Sequence, residues 1–172
     1  MDMSFGKSED ADYNFLLVMG KYRNCIFVVD AFVGRWTFQE RLNVIQKFAR
    51  KWPGIPLHIE GDFIQNAIVK EIKYQLPLVK IHTFTSKGQG MNYKDLYEGQ
   101  KKAAKKGKIH DALVVPLSDQ RVYMVEDLPE LEMFKQQLVS FPNCEFFDFI
   151  DTLAMGFIIL RPSARTSMAI FT

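Results

Sequence analysis

Several carboxylates occupy positions where an unpaired charge would be unfavourable. Glu60 ends the apolar run 55–60 and is followed two residues later by Asp62, while Asp148 and Asp151 lie in the aromatic run "CEFFDFID". A buried carboxylate without a partner is costly, so such groups are paired, neutralised or bound to a metal ion. A spacing of three puts Asp148 and Asp151 on one helix face, where their charges repel unless a cation lies near them. The pattern indicates a cation-binding site as one hypothesis.

The same residues also have structural interpretations. Glu60 could cap the next helix or pair with a lysine, and Asp62 could be the N-cap of that helix. Asp148 and Asp151 could lie on the exposed face of an amphipathic helix. Asp30, in an apolar strand, is interpreted as structural and is predicted to pair with a nearby Arg or Lys. The residues alone leave both interpretations open.

A Gly6-Lys7-Ser8 triplet near the start of the chain has the form of the end of a nucleotide-binding phosphate loop. Such a loop needs an earlier glycine at the position that Met1 occupies, a strand leading in and a helix leading out. No strand precedes the triplet, and the next apolar run is predicted to be a strand. ATP binding is therefore not expected. Asp2 becomes the residue of interest, because it would reach the other carboxylates if residues 1–5 form a strand.

The composition is that of one globular domain. The 172 residues are 48% hydrophobic and 13% aromatic, which argues against disorder. The net charge is only +2, so any affinity for nucleic acid must come from local clustering of charge. Cys25 and Cys144 lack the spacing of metal ligands or of a redox pair. No signal peptide and no bilayer-spanning run is visible, so we expect a cytosolic protein with free thiols.

The histidines also lack the regular spacing of metal ligands. His58 and His82 are single histidines in predicted strands and are expected on a sheet face or in the core. His110 follows the lysine-rich segment and is expected at the surface.

The first half of the chain predicts an α/β fold. Two apolar runs around five turn residues predict an antiparallel hairpin. A helix with Thr37 as its N-cap and Glu40 as its capping-box partner follows and ends at Pro53-Gly54. The order β-β-α-β-α-β predicts a mixed central sheet flanked by helices, with the antiparallel hairpin first and parallel strands joined by crossover helices later. The predicted strands are 13–19, 25–32, 55–60 and 78–84, and the second helix is 63–76.

The second half contains a basic insertion. Residues 86–108 hold seven lysines and two acids, a local charge of +5. The run "ALVVPLSDQRVYMVE" is interpreted as two short strands around a polar turn, so that 86–125 forms a basic loop and hairpin. Helices are predicted over 129–139 and 144–160. The chain is treated as a single domain, 1–172, with this insertion and a tail at 161–172.

The order of these motifs resembles the C-terminal nuclease domain of the large terminase subunit of tailed bacteriophages, which belongs to the ribonuclease H-like superfamily. The family's first acid opens a segment similar to "DMSFGKSEDADYNFLLVMG", and its third strand with an Arg-Trp turn resembles "VVDAFVGRWTF". Its second acid lies in a segment similar to "HIEGDFIQNAIVKEI". Its last acidic motif resembles "FPNCEFFDFIDTLAMG", with Asp148 and Asp151 at two of the acids. The resemblance covers residues 2–160.

The chain departs from the family pattern in several places. Met3 stands where proline is usual, and Phe146 and Phe147 stand where the family has a histidine and the first aspartate of a pair. Either of the two phenylalanines would reduce the number of metal ligands. The strand expected before Asp2 is almost wholly missing, so the sequence looks like an excised domain whose ATPase domain lies upstream.

The resemblance implies a ribonuclease H-like, metal-dependent DNA endonuclease that cuts concatemeric viral DNA during packaging. Asp2, Glu60 and Asp148 are implied to be the catalytic metal ligands, with Asp151 as an auxiliary ligand and Asp62 as a weaker candidate. Two Mg²⁺ or Mn²⁺ ions about 3.5–4 Å apart would activate water and stabilise the leaving 3′ oxygen. Such hard ions prefer carboxylate oxygens and water, which matches a site without Cys or His ligands.

The lysine-rich segment is interpreted as a contact surface for the backbone of double-stranded DNA, without sequence preference. Within it, "KKAAKK" places lysines along one helical face, and a solvated charged face is the alternative interpretation. The candidate DNA-binding residues are Lys87, Lys101, Lys102, Lys105, Lys106 and Lys108. The implied partners are the terminase ATPase domain, the small terminase subunit and the portal, in the host cytoplasm.

Two other functions stay open at this point. One is a non-catalytic DNA-binding module of the packaging motor, in which Phe147 and the missing first strand have impaired the acidic cluster. The other is a different ribonuclease H-like nuclease, of the resolvase or transposase type, which would prefer branched or terminal DNA.

Overall fold

The secondary-structure elements follow the predicted α/β order, with one change in the second half. A computed structural model describes residues 13–60, 63–84, 98–144 and 148–160. The strands are β1 (Asn14–Tyr22), β2 (Cys25–Gly34), β3 (Leu57–Glu60), β4 (Ile81–Phe84) and β5 (Val122–Met124). The helices in these ranges are α1 (Phe38–Lys51), α2 (Phe63–Gln75), α3 (Glu98–Ser118), α4 (Leu131–Ser140) and α5 (Asp148–Leu160).

β1 and β2 form the predicted antiparallel hairpin, but its turn is shorter than predicted. Tyr22 pairs with Cys25, so only Arg23 and Asn24 connect the strands, in place of the predicted five turn residues. Arg23 has a left-handed backbone, with φ of 53°. The strands extend further because the register continues through Gly20 and beyond. We call the end at Arg23 the turn end of the hairpin and the end at Asn14 and Gly34 its open end.

The predicted capping box of α1 is confirmed. The Thr37 backbone N–H donates to Glu40 Oε2 at 2.7 Å, and the Glu40 backbone N–H donates to Thr37 Oγ1 at 3.3 Å. The hydrogen bond from the Thr37 backbone lowers the pKa of Glu40. Leu42, Ile45 and Phe48 form the buried face of the helix, as their spacing predicts.

The strands form two sheets within the described residues. β1 pairs antiparallel with β2, and β2 pairs in parallel with β5, which gives a three-stranded mixed sheet in the order β1-β2-β5. β3 and β4 form a separate parallel pair. The α/β class and the mixed pairing of strands are confirmed. In place of the predicted single central sheet, the described strands form two sheets.

The run "ALVVPL" is helical, so the predicted hairpin in the basic insertion is wrong. Ile109, Ala112 and Leu113 recur at helical spacing and are buried, whereas a strand would bury alternate residues. Val114 and Val115, whose β-branched side chains favoured a strand, are exposed. Only the second predicted strand forms, as β5, and it pairs with β2.

Two hydrophobic clusters lie on opposite faces of β1. Phe15 belongs to the cluster that includes residues of α3, α4 and α5. Leu16 and Val18 belong to the cluster that includes residues of α1, α2, β3 and β4. Since neighbouring side chains of a strand point to opposite faces, β1 contributes to both clusters. None of the helices in the described part of the chain has the length and apolar character of a membrane span.

Candidate active site

α5 runs along β1 in the same direction as the strand. At its start, the Phe149 ring lies 6.4 Å from the Phe15 ring, near the beginning of β1. At its end, Lys21 Nζ donates to the Leu160 carbonyl oxygen at 3.2 Å, near the hairpin turn. The first turn of α5 therefore lies at the open end of the hairpin.

This first turn carries two of the predicted metal ligands. Asp148 is half-buried, and Asp151 is only 6% exposed, in a helix whose other residues are largely apolar. The surface interpretation is therefore wrong for Asp151. Both residues lie where the partial positive charge of a helix N-terminus favours a carboxylate. Thr152 Oγ1 donates to the Asp148 carbonyl oxygen at 2.8 Å, an additional hydrogen bond within this turn.

Glu60, the third described ligand candidate, is the last residue of β3 and is half-buried. Leu57 and Ile59 point into the hydrophobic cluster beneath the sheet. Because successive side chains of a strand alternate, Glu60 is directed to the opposite face, together with His58. Glu60 pairs with Phe84 of β4 in the strand register.

The direction in which α1 runs bears on where β3 and Glu60 lie relative to α5. Asp30, in the middle of β2, contacts Lys51 and Trp52 at the C-terminal end of α1, and α1 begins four residues after β2 ends. α1 therefore runs back along β2. A strand that follows such a helix normally runs parallel to the first strand. That rule holds for strands of one sheet, whereas β3 pairs with β4 and not with β2 within the described residues, so the position of Glu60 beside Asp148 stays a prediction.

α3 runs in the same direction as α5. Ala112 and Pro116, in its C-terminal half, share a cavity with Phe157 and Leu160 of α5. After α3, the Arg121 carbonyl oxygen accepts from the Ile26 N–H at 2.8 Å, beside the hairpin turn. The N-terminal half of α3 is therefore directed towards the open end of the hairpin. Measured along the helix axis, Lys101 lies about 17 Å before Ala112 in α3, and Asp148 lies about 14 Å before Phe157 in α5.

The backbone of α3 carries five of the six candidate DNA-binding lysines, although their side chains lie outside the description. These are Lys101, Lys102, Lys105, Lys106 and Lys108. Lys87, Asp2 and Asp62 lie wholly outside the described residues, as do Phe146 and Phe147. In the described ranges no group of three or more His, Cys, Asp or Glu side chains is arranged to hold a metal ion. The ligand roles of Asp2, Glu60 and Asp148 stay predictions.

Asp30 is a buried carboxylate with a structural role, as predicted. It contacts Lys51 Nζ at 2.8 Å, and it accepts from Trp52 Nε1 at 2.8 Å and from the Ala31 N–H at 3.0 Å. Burial alone would raise the pKa of Asp30, but the hydrogen bonds from Lys51 and Trp52 hold it below its ordinary value of 3.8. The carboxylate connects β2 to the end of α1.

Asp30→Asn is expected to lower the free energy of unfolding at pH 7 by about 1–3 kcal/mol, because it removes charge-assisted hydrogen bonds in a buried position. Since the pKa of Asp30 is lowered in the folded protein, its charge stabilises the fold above its ordinary pKa, and that contribution is lost as the pH falls through the folded pKa. The difference between wild type and variant should therefore shrink below about pH 4. Denaturant unfolding of wild type and variant, at pH 7 and below about pH 4, measures this difference in stability. Equal stabilities at pH 7 would contradict the role of Asp30.

The structure reveals a histidine pair that the sequence did not predict. His58 and His82 occupy facing positions of β3 and β4, and their rings stack with centroids 5.1 Å apart. Both were predicted as single histidines on a sheet face or in the core; His58 is half-buried and His82 is exposed. Their pairing depends on the register between strands separated by α2, which local spacing does not contain.

In comparisons with protein-family models and with curated proteins, no family model and no curated protein matches the chain. The likeness to terminase nuclease domains therefore depends on the sequence motifs described above.

Proposed function

We propose that the protein is a ribonuclease H-like, metal-dependent DNA endonuclease that cuts concatemeric viral DNA during genome packaging. The observation that carries this proposal is the shared direction of α3 and α5. It brings the lysine-bearing half of α3 and the acidic first turn of α5 towards the same end of the molecule. A nuclease needs both features together, because its substrate is a polyanion and its ions need anionic ligands.

The donor chemistry of the described carboxylates fits Mg²⁺ or Mn²⁺. Hard divalent cations prefer carboxylate oxygens and water. Glu60 and Asp148 would hold the ions together with Asp2, and the more deeply buried Asp151 would support them. When bound, two such ions provide a nucleophilic water and stabilise the leaving 3′ oxygen of a phosphodiester. Asp148 lies in the first turn of α5, where the partial positive charge of the helix N-terminus favours a carboxylate.

The lysines of α3 would hold the DNA by its phosphates. Such contacts position a duplex without reading its sequence, and they weaken steeply as salt rises. A packaging enzyme that cuts according to how much DNA has been loaded needs no base-specific contacts. The ATPase domain, the small terminase subunit and the portal are the partners that belong to this proposal, and the host cytoplasm is the location.

A second candidate is a non-catalytic DNA-binding module of the same motor. It is favoured by Phe147, which stands where the resembled family has the first aspartate of a pair. Such a module would retain the lysine-dependent affinity for DNA and would lack hydrolysis.

Incubation of the protein with supercoiled plasmid separates the two candidates. With Mn²⁺ or Mg²⁺ we expect nicked and linear products without a preferred site, and with EDTA we expect none. A gel-shift measurement on the same DNA is the companion experiment. Binding without cleavage at any metal concentration would support the non-catalytic module, and the absence of both would contradict both candidates. A strong preference for branched DNA would instead indicate a resolvase-type nuclease.

A further inference from the structure

The stacked histidine pair lies on the face of the β3–β4 sheet that is turned away from the hydrophobic cluster. His58 and His82 are register partners on parallel strands, and their ring planes are 18° from parallel. Leu57, Ile59 and Ile81, the neighbours of these histidines in sequence, are buried in the cluster on the other face. Two imidazoles are thereby fixed side by side by backbone pairing on neighbouring strands.

The pair has the composition of a chelate for transition metals. Neighbouring strands lie about 4.8 Å apart, so rotation of the two stacked rings about their side-chain bonds would direct one nitrogen of each towards a common ion. Zn²⁺ binds imidazole nitrogen at about 2.0–2.1 Å.

We propose that His58 and His82 form a two-histidine site for a divalent transition-metal ion of the Zn²⁺, Ni²⁺ or Cu²⁺ class, with water at the remaining positions. Imidazole is a preferred ligand for these ions, whereas Mg²⁺ prefers oxygen. The site supplies two protein ligands, one from each strand. It does not depend on the proposed nuclease activity, although Glu60 lies two residues further along the same strand face.

The test is a calorimetric titration of the chain, without a histidine tag, with ZnCl₂ or NiCl₂. Wild type is expected to bind one ion per chain at this site. The chain has three histidines, so His110, which is 59% exposed on α3, provides a matched control. The loss of an outer-shell partner alone weakens metal binding about 10- to 100-fold, so removal of a direct ligand by His82→Gln should weaken it by at least about tenfold. His110→Gln should leave the affinity unchanged.

Further measurements test whether the ion is bound by the histidines. His82 is exposed, so His82→Gln should unfold at the wild-type temperature, and a lowered affinity in a folded variant supports the site. An excess of Mg²⁺ should not displace Zn²⁺; displacement would place the ion at carboxylates and overturn the proposal. It is also overturned if wild type binds no ion, if His82→Gln binds as wild type does, or if Cys25→Ser alone abolishes binding.

Discussion

Replacing Asp148 by asparagine is expected to abolish metal-dependent DNA cleavage while leaving the fold intact. Asparagine has nearly the same shape, so the half-buried position in the first turn of α5 should accept it. It lacks the negative charge that hard divalent cations prefer in a ligand. If metal-ion catalysis contributes about 4 kcal/mol through this ligand, cleavage slows about a thousandfold. The measurement is the rate of plasmid nicking in Mn²⁺ under single-turnover conditions.

Asp111→Asn is the matched control for this experiment. The Asp111 side chain is 86% exposed and borders the cavity near the hairpin turn, away from the first turn of α5. It should cut DNA at the wild-type rate. Both variants should bind DNA in a gel shift and unfold at the wild-type temperature. Unchanged cutting by the Asp148 variant would remove this residue from the metal site, whereas equal losses in both variants would point to a general effect of charge.

Phe149→Ala is expected to lower the free energy of unfolding by about 3–5 kcal/mol, the range for large-to-small changes of a buried aromatic residue. The Phe149 side chain is fully buried, and its ring stacks on Phe134 with centroids 4.0 Å apart and planes 3° from parallel. It also contacts Phe15 of β1. Truncation would leave a cavity where α4, α5 and β1 meet, because neighbouring rings can fill it only in part.

Denaturant unfolding measures this effect, with Tyr74→Ala as the control. The Tyr74 side chain is 83% exposed on α2, so its loss should change stability by no more than about 0.5 kcal/mol. A loss below about 1 kcal/mol in the Phe149 variant would contradict its role in the core. Because Phe149 follows Asp148 directly, a folded but loosened variant should also cleave DNA more slowly.

Local signals predicted most of the fold in the first half of the chain. Thr37 and Glu40 define the start of α1 through hydrogen bonds between residues three apart, and such contacts can be read from sequence. The hairpin and the β3–α2–β4 unit were also predicted from local signals, which are the turn residues and the spacing of the apolar residues. The run "ALVVPL" was misassigned because Val114 and Val115 favour strands, whereas packing of Ala112 and Leu113 against α5 determined the outcome.

The candidate site was predicted less completely, because its geometry depends on contacts between distant segments. Asp30 was correctly given a basic partner, since a carboxylate in an apolar strand requires one. The burial of Asp151 could not be predicted, because spacing places it on the same helix face as Asp148 but does not say which face is covered. The His58–His82 pair depends on strand register, for which the chain offers no local signal.

The position of β1 between two hydrophobic clusters has a consequence for folding. Phe15 supports the helices on one side of the strand, while Leu16 and Val18 support α1 and the β3–β4 pair on the other. Disruption of either cluster removes packing from the same strand, so neither half can melt while the other keeps its full native packing. We therefore expect the thermal transition of the domain to be cooperative across both halves, and a destabilising substitution far from the carboxylates to lower the stability of the whole domain.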